Sequence, residues 1–247
     1  MIKRIYIYIA ILFASMLQSC DGAFDGLYDE AVNDGEQQLG FSGREDGTRF
    51  QITLDARSYD HWYYINLHDR TIETLPIATT LTGEWDGRSQ WTYYNVHGST
   101  YTEQQVKKVD MQRDADNWDI AIHHFDVKTN GGAALETPYT SIDEAPATSD
   151  AFRDALFTED EWCTHQCIVD FTGMMSYNIW YTSSMVNTVL SRWVTMDFST
   201  PPPVYSASQR VYVLRMKDGT HAALRLVSYM SDRGTKGYLT IDVKYPY

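Results

Sequence analysis

The sequence predicts an all-β fold: a single domain of mostly antiparallel strands with few short helices, ending in a C-terminal meander. Three observations predict it. From Phe50 onward, short runs rich in aromatic and β-branched residues recur, each bounded by turn residues. Several of these runs alternate apolar and polar side chains, the period of a half-buried strand. The last third reads as three such runs joined by tight turns. Of the 247 residues, 43% are hydrophobic and 14% aromatic, enough for a real core, so wholesale disorder is excluded.

Taken in order, Phe50 to Leu54 alternates, and His61 to Leu67 is aromatic and β-prone. Gly83 to Tyr94 holds Trp85 and Trp91 with turn residues between them. Residues 103–117 are polar and are expected to make one short helix. Asn117 to Val127 is expected to be one strand, closed by Asn130-Gly131-Gly132. Residues 136–150 suit a loop, and 150–162, acidic, a helical turn. Arg210 to Met216 alternates, and Lys217-Asp218-Gly219-Thr220 makes a tight turn, because Asp-Gly favours positive φ. His221 to Met230 is the next strand, and Tyr238 to Tyr245 the last.

The N-terminus points to export. Residues 1–19 carry Lys3 and Arg4 ahead of an apolar run from Ile5 to Leu17. That run is short for a membrane span of about 20 residues and suits a signal-peptide core. Leu17-Gln18-Ser19-Cys20 resembles a lipobox, which makes Cys20 the candidate lipidation site. Lipid chains hold such a protein at a membrane with about 0.8 kcal/mol per buried CH₂. Residues 20–49, rich in Gly, Asp and Glu, suit a lipidated acidic tether, and 50–247 the β domain.

The whole chain sets 20 Lys+Arg against 33 Asp+Glu, a net charge of -13. Loss of residues 1–19 removes two bases and no acid, so 18 bases then face 33 acids, a net of -15. No basic stripe is visible, which argues against a nucleic-acid partner. No nucleophile elbow, Gly-rich phosphate loop or HExxH motif appears, so nothing asks for an enzyme.

Three groups of residues carry chemistry. Cys163-Thr164-His165-Gln166-Cys167 places two thiols and an imidazole within one short run; metal ligation, a local disulfide and two free thiols are the alternatives. His123-His124, if on a strand, faces opposite ways, so one imidazole is expected in the core and the other at the surface. Met174, Met175, Met185 and Met196 fall within 23 residues, beside Tyr177, Trp180, Tyr181, Trp193 and Phe198. Thioethers fill core gaps well, and they are also soft ligands for haem iron.

The run Trp118-Asp119-Ile120-Ala121-Ile122-His123-His124-Phe125-Asp126-Val127-Lys128-Thr129-Asn130-Gly131-Gly132 resembles a block of the HmuY-like haem-binding lipoproteins of Bacteroidetes. Arg192-Trp193, the proline-rich turn before Tyr205, the Ser208 to Arg215 run and the ending Lys244-Tyr245-Pro246-Tyr247 resemble their later blocks. The ordered matches span 118–247, and the lipobox agrees.

This resemblance implies a hand-shaped β fold gripping haem in a cleft. It implies a lipid-anchored protein of the outer membrane, at the cell surface, that takes part in haem and iron acquisition and passes its cargo to a TonB-dependent receptor. It implies no catalysis. Family members hold iron with two axial side chains, His-His or Met-Met, one from a hairpin tip and one from the loop after the Trp block. Thr172-Gly173-Met174-Met175 resembles the first ligand segment of the methionine type, which makes Met174 the first-ligand candidate with Met175 beside it. In the methionine type the second ligand precedes the Pro-Pro pair; here Pro201 stands in that place, and proline offers no ligand. Either iron is then held from one side, or Met196, five residues earlier, or His165 takes over as second ligand, or haem affinity is weak or lost. Arg192 and Arg210 are candidates for the propionates at the rim. The alternative is a surface binding module that keeps the fold, has lost haem ligation and binds another ligand or partner.

Overall fold

Seventeen strands make up the described part of the chain, and every pairing among them is antiparallel. The computed structural model describes residues 38–43, 47–97, 100–173, 178–197, 199 and 204–247, and for 96, 97 and 100–104 the backbone alone. The expected signal segment, Cys20, Met174, Met175 and Pro201 lie outside the described residues.

The largest sheet is built from β1 (Gly40–Gly43), β2 (Arg49–Asp55), β9 (Ala133–Glu136), β10 (Thr158–Glu159), β15 (Val211–Arg215), β16 (His221–Met230) and β17 (Lys236–Lys244). Its strand order is β1-β2-β17-β16-β15-β9-β10. The expected meander is the β15-β16-β17 part of it. Its first turn works as the Asp-Gly pair predicts: Gly219 has φ +87°, and Asp218 accepts from the backbone N–H and hydroxyl of Thr220. β1 lies within the stretch expected as tether. Its pairing with β2, Phe41 opposite Ile52, brings strand structure forward of residue 50.

A second sheet has the order β4-β3-β7-β8, from β3 (His61–Asn66), β4 (Thr71–Pro76), β7 (Ile120–His123) and β8 (Asp126–Thr129). A third has the order β11-β12-β5-β6, from β5 (Gln90–His97), β6 (Thr100–Lys108), β11 (Glu161–Asp170) and β12 (Asn178–Val186). β13 (Val194–Asp197) and β14 (Val204–Ala207) form a separate two-stranded ribbon. Among the described residues the helical elements are two short 3-10 turns, Ser149–Phe152 and Leu190–Trp193; the first is the helical turn expected in the acidic stretch.

Period-two alternation explains how the layers stack. In the second sheet Ile65, Ile120, Ile122 and Val127 face the largest sheet and join its Ile52, Leu214, Leu224 and Ile241 in the main core. The alternate residues Trp62, Tyr64 and Ala121 face the other way and pack on Cys167, Val169 and Val186 of the third sheet. The inner strands β3, β7 and β8 of the second sheet are thus covered on both faces, while its edge strand β4 stays largely exposed. Trp193 is fully buried in the main core and donates its indole N–H to Phe125 O at 2.7 Å.

Two expectations are corrected. Residues 103–117 do not form a helix; β6 occupies their first part. It is an edge strand with residues 105–108 exposed, and an edge strand with charged side chains looks polar in sequence for a reason unrelated to helix formation. Asn117 to Val127 is not one strand but two, because His124 has φ +56° and turns the chain between β7 and β8. Among the described residues no helix is long and apolar enough to cross a membrane.

Candidate functional site

β11 and β12 are consecutive, paired strands, and in sequence the candidate ligands Met174 and Met175 fall in the stretch that connects them, outside the described residues. Its described shoulders are tightly built. Asp170 accepts from the backbone N–H and hydroxyl of Thr172, and Asn178 N–H donates to Gly173 O at 2.9 Å. A Cβ on Gly173 would lie 2.6 Å from Asn178 O, so this closure needs glycine.

Met196 lies on β13 opposite Tyr205 of β14 and is half-buried. It packs against the main core and also against a separate apolar cluster at the root of the hairpin, made by Ile168, Ile179 and Tyr181 with Tyr59, Tyr94 and Phe171. The structure therefore joins Met196 to the hairpin that carries Met174. Aromatic rings continue from there. Tyr205 stacks on Tyr229 at 5.1 Å between centroids, Tyr59 stacks on Phe171 at 6.0 Å, and His124 touches both Tyr59 and Tyr229. Lys236 Nζ lies 5.1 Å from the Tyr205 ring centroid, a cation that the sequence alone did not single out.

The other candidates are placed as follows. His165 is exposed, its ring 6.0 Å from Tyr94. Arg192 is exposed and donates to Thr188 O, and Arg210 donates to Pro138 O, so each guanidinium already holds a backbone carbonyl. Cys163 and Cys167 are free thiols and form no disulfide; a bulge in β11 separates them.

His123 and His124 are both buried, against the expectation that one faces the surface. His124 donates from Nδ1 to Ala56 O at 2.8 Å, because a carbonyl only accepts; its Nε2 then accepts from Tyr229 at 2.6 Å and Tyr59 at 3.3 Å. Burial pushes both imidazoles down to about 4, so both are neutral at physiological pH. Burial likewise pushes the Asp126 carboxyl up to about 8 and raises the Cys167 thiol. Lys128, buried beside them, is bound by Asp114 and the Tyr64 hydroxyl and lies over the Trp62 ring.

A family model described as HmuY protein matches residues 88–243. The chain belongs to the HmuY family. Two solved structures support the assignment over most of the chain. A candidate lipoprotein from Bacteroides fragilis is 36% identical, with 85% of this chain and 96% of that one covered and a TM-score of 0.63. A candidate HmuY-like haem-binding protein from Bacteroides vulgatus is 34% identical, covers 85% of this chain and 99% of its own, and has a TM-score of 0.62. The apo HmuY analogue of Tannerella forsythia, at 24% identity, 79% and 94% coverage and a TM-score of 0.55, shares the fold. No curated protein matches. The HmuY match begins at residue 88, upstream of the Trp118 block that carries the resemblance in sequence.

Proposed function

We propose that this HmuY-family chain binds haem between the tip of the β11–β12 hairpin and the β13–β14 ribbon. Met174 is the first axial ligand, with Met175 beside it, and Met196 is the second. The observation that carries this reading is the position of Met196, a half-buried thioether packed on the apolar cluster at the root of that hairpin. The residues present fit the cargo. A porphyrin leaves water for aromatic and aliphatic walls, and Tyr59, Phe171, Tyr205 and Tyr229 supply rings nearby. Thioether sulfur is a soft ligand for haem iron. Lys236 offers a cation for a propionate.

In this reading the protein is a carrier with no catalytic step. Cys20 is lipidated, residues 1–19 are removed, and the domain stands on the outer membrane, at the cell surface, beside a TonB-dependent receptor that takes the haem. In this reading residues 1–19 are the signal segment, the tether follows, and the β domain begins at β1.

Haemin titration under air and again after dithionite tests the site. A Soret shift with sharp α and β bands on reduction is expected, and loss of both in Met174→Ala. A spectrum of free haemin from the wild-type protein overturns it. Pro201, standing where the methionine type has its ligand, favours a second reading, in which the fold is kept and haem ligation lost. That reading predicts no spectral change in either redox state.

A further inference from the structure

Three metal-binding side chains that the haem reading does not use meet in the buried layer between the second and third sheets. One ring nitrogen of His123, a carboxylate oxygen of Asp126 and Cys167 Sγ lie within 4.8 Å of one another, and all three residues are buried. They come from both layers: His123 and Asp126 are paired across the β7–β8 hairpin, and Cys167 is on β11.

The hydrogen bonding of His123 sets its tautomer. Nε2 is 2.9 Å from Tyr59 O, and a carbonyl only accepts, so Nε2 carries the proton and Nδ1 an open lone pair. His123 is fully buried, and Nδ1 has no hydrogen-bond partner. An orphaned acceptor in the interior is costly and calls for an explanation. A ligating histidine shows the same arrangement, one nitrogen donating to a backbone carbonyl and the other left for the metal. The Asp126 carboxyl accepts one side-chain hydrogen bond, from Gln166 Nε2 at 3.0 Å. The same three residue types would suit a cysteine nucleophile, but Cys167 is completely enclosed, and burial raises its thiol rather than lowering it.

We propose that His123, Asp126 and Cys167 bind a divalent transition ion of the zinc class, with His123 coordinating through Nδ1. One thiolate and one carboxylate neutralise a dipositive ion, which is the charge balance a buried site requires. The ligands release to solvent whatever protons they carry, and no electron is transferred. The adjacent Lys128 ammonium does not oppose the ion with a free charge, since Asp114 pairs with it. A bound ion ties the β7–β8 hairpin to β11, the strand that leads to the Met174 tip.

The test is a cobalt titration of the purified, haem-free protein after removal of metal with a chelator. One Co²⁺ per chain, a thiolate-to-cobalt charge-transfer band, displacement by Zn²⁺ and a raised Tm are expected. Cys167→Ala abolishes the band. Asp126→Asn keeps the side-chain shape and an acceptor for Gln166, and it weakens binding by more than about tenfold. Absence of the band in the wild type overturns the proposal, and so does unchanged binding in both variants. Should both variants fail to fold, the wild-type spectrum decides.

Discussion

The Tyr229 hydroxyl lies 2.6 Å from His124 Nε2, and this contact holds an imidazole inside the protein at a point where a continuous strand would have turned it outward. The chain pays for the turn with φ +56° at His124, a conformation that few non-glycine residues adopt. Ala56 O, Tyr59 and Tyr229 together satisfy both ring nitrogens. Tyr229→Phe leaves Nε2 with the 3.3 Å contact to Tyr59 and is expected to lower stability by about 1–2 kcal/mol. Tyr59→Phe removes the longer contact and costs less. Urea unfolding of the two variants gives the order, and an equal or reversed loss counts against this description of the turn.

Gly173 is the last described residue before the Met174 tip. A methyl group there meets Asn178 O at 2.6 Å and Asn178 Cβ at 2.7 Å, so the closing hydrogen bond between Asn178 N–H and Gly173 O has to open. Gly173→Ala is expected to displace the tip and reduce haem affinity by roughly tenfold or more, since about 1.4 kcal/mol of misplacement is enough. Global stability changes less, because the tip lies at a hairpin end and not in the main core. Haemin titration beside a urea curve checks both; unchanged haem affinity removes the tip from the site.

Much of the fold was legible because alternation and turn chemistry are local. Phe50 to Leu54, His61 to Leu67 and the Asp218-Gly219 meander carry their strand signals within a few residues. β6 was not legible: as an edge strand it exposes charged side chains, and polarity alone does not distinguish it from a surface helix. The β7–β8 turn was missed because its positive φ falls on a histidine rather than a glycine. For the site, the sequence supplied the methionine candidates. It did not supply Lys236 or Tyr229, which reach Tyr205 and His124 only through the packing of the largest sheet on the ribbon and the turn. The His123–Asp126–Cys167 cluster needs three strands from two sheets, and no spacing announces it.

Asp55 supplies a pH dependence with a definite sign. Arg57 binds both of its carboxylate oxygens at 2.8 Å and holds the carboxyl below its usual 3.8. Its contribution to stability is therefore fully present above about pH 3.8 and is lost as pH falls through the lower, folded value. The pair is partly exposed, so solvent and salt keep the effect small. Asp55→Asn is expected to flatten the acid limb of the stability curve slightly and to leave the slope above pH 5 unchanged; the measurement is Tm against pH for the two proteins. An acid limb identical to wild type means that the ion pair does not couple to folding.

Lys236 opens β17 beside the ribbon, with its ammonium 5.1 Å from the Tyr205 ring centroid, while Tyr205 faces Met196 across the β13–β14 pair. In a protein of net charge -13 a cation at this place has a specific use, because the surrounding field repels a dianionic porphyrin. Lys236→Gln is expected to weaken haemin binding about two- to fivefold, equivalent to roughly 0.5–1 kcal/mol, with no change in the axial-ligand bands. High salt narrows the gap between variant and wild type, since the charge is only half-buried. Haemin dimethyl ester separates charge from shape: its propionates are neutral, so wild type and Lys236→Gln should bind it equally. A difference that persists with the ester places Lys236 in the apolar wall, and no difference with haemin itself removes it from the rim.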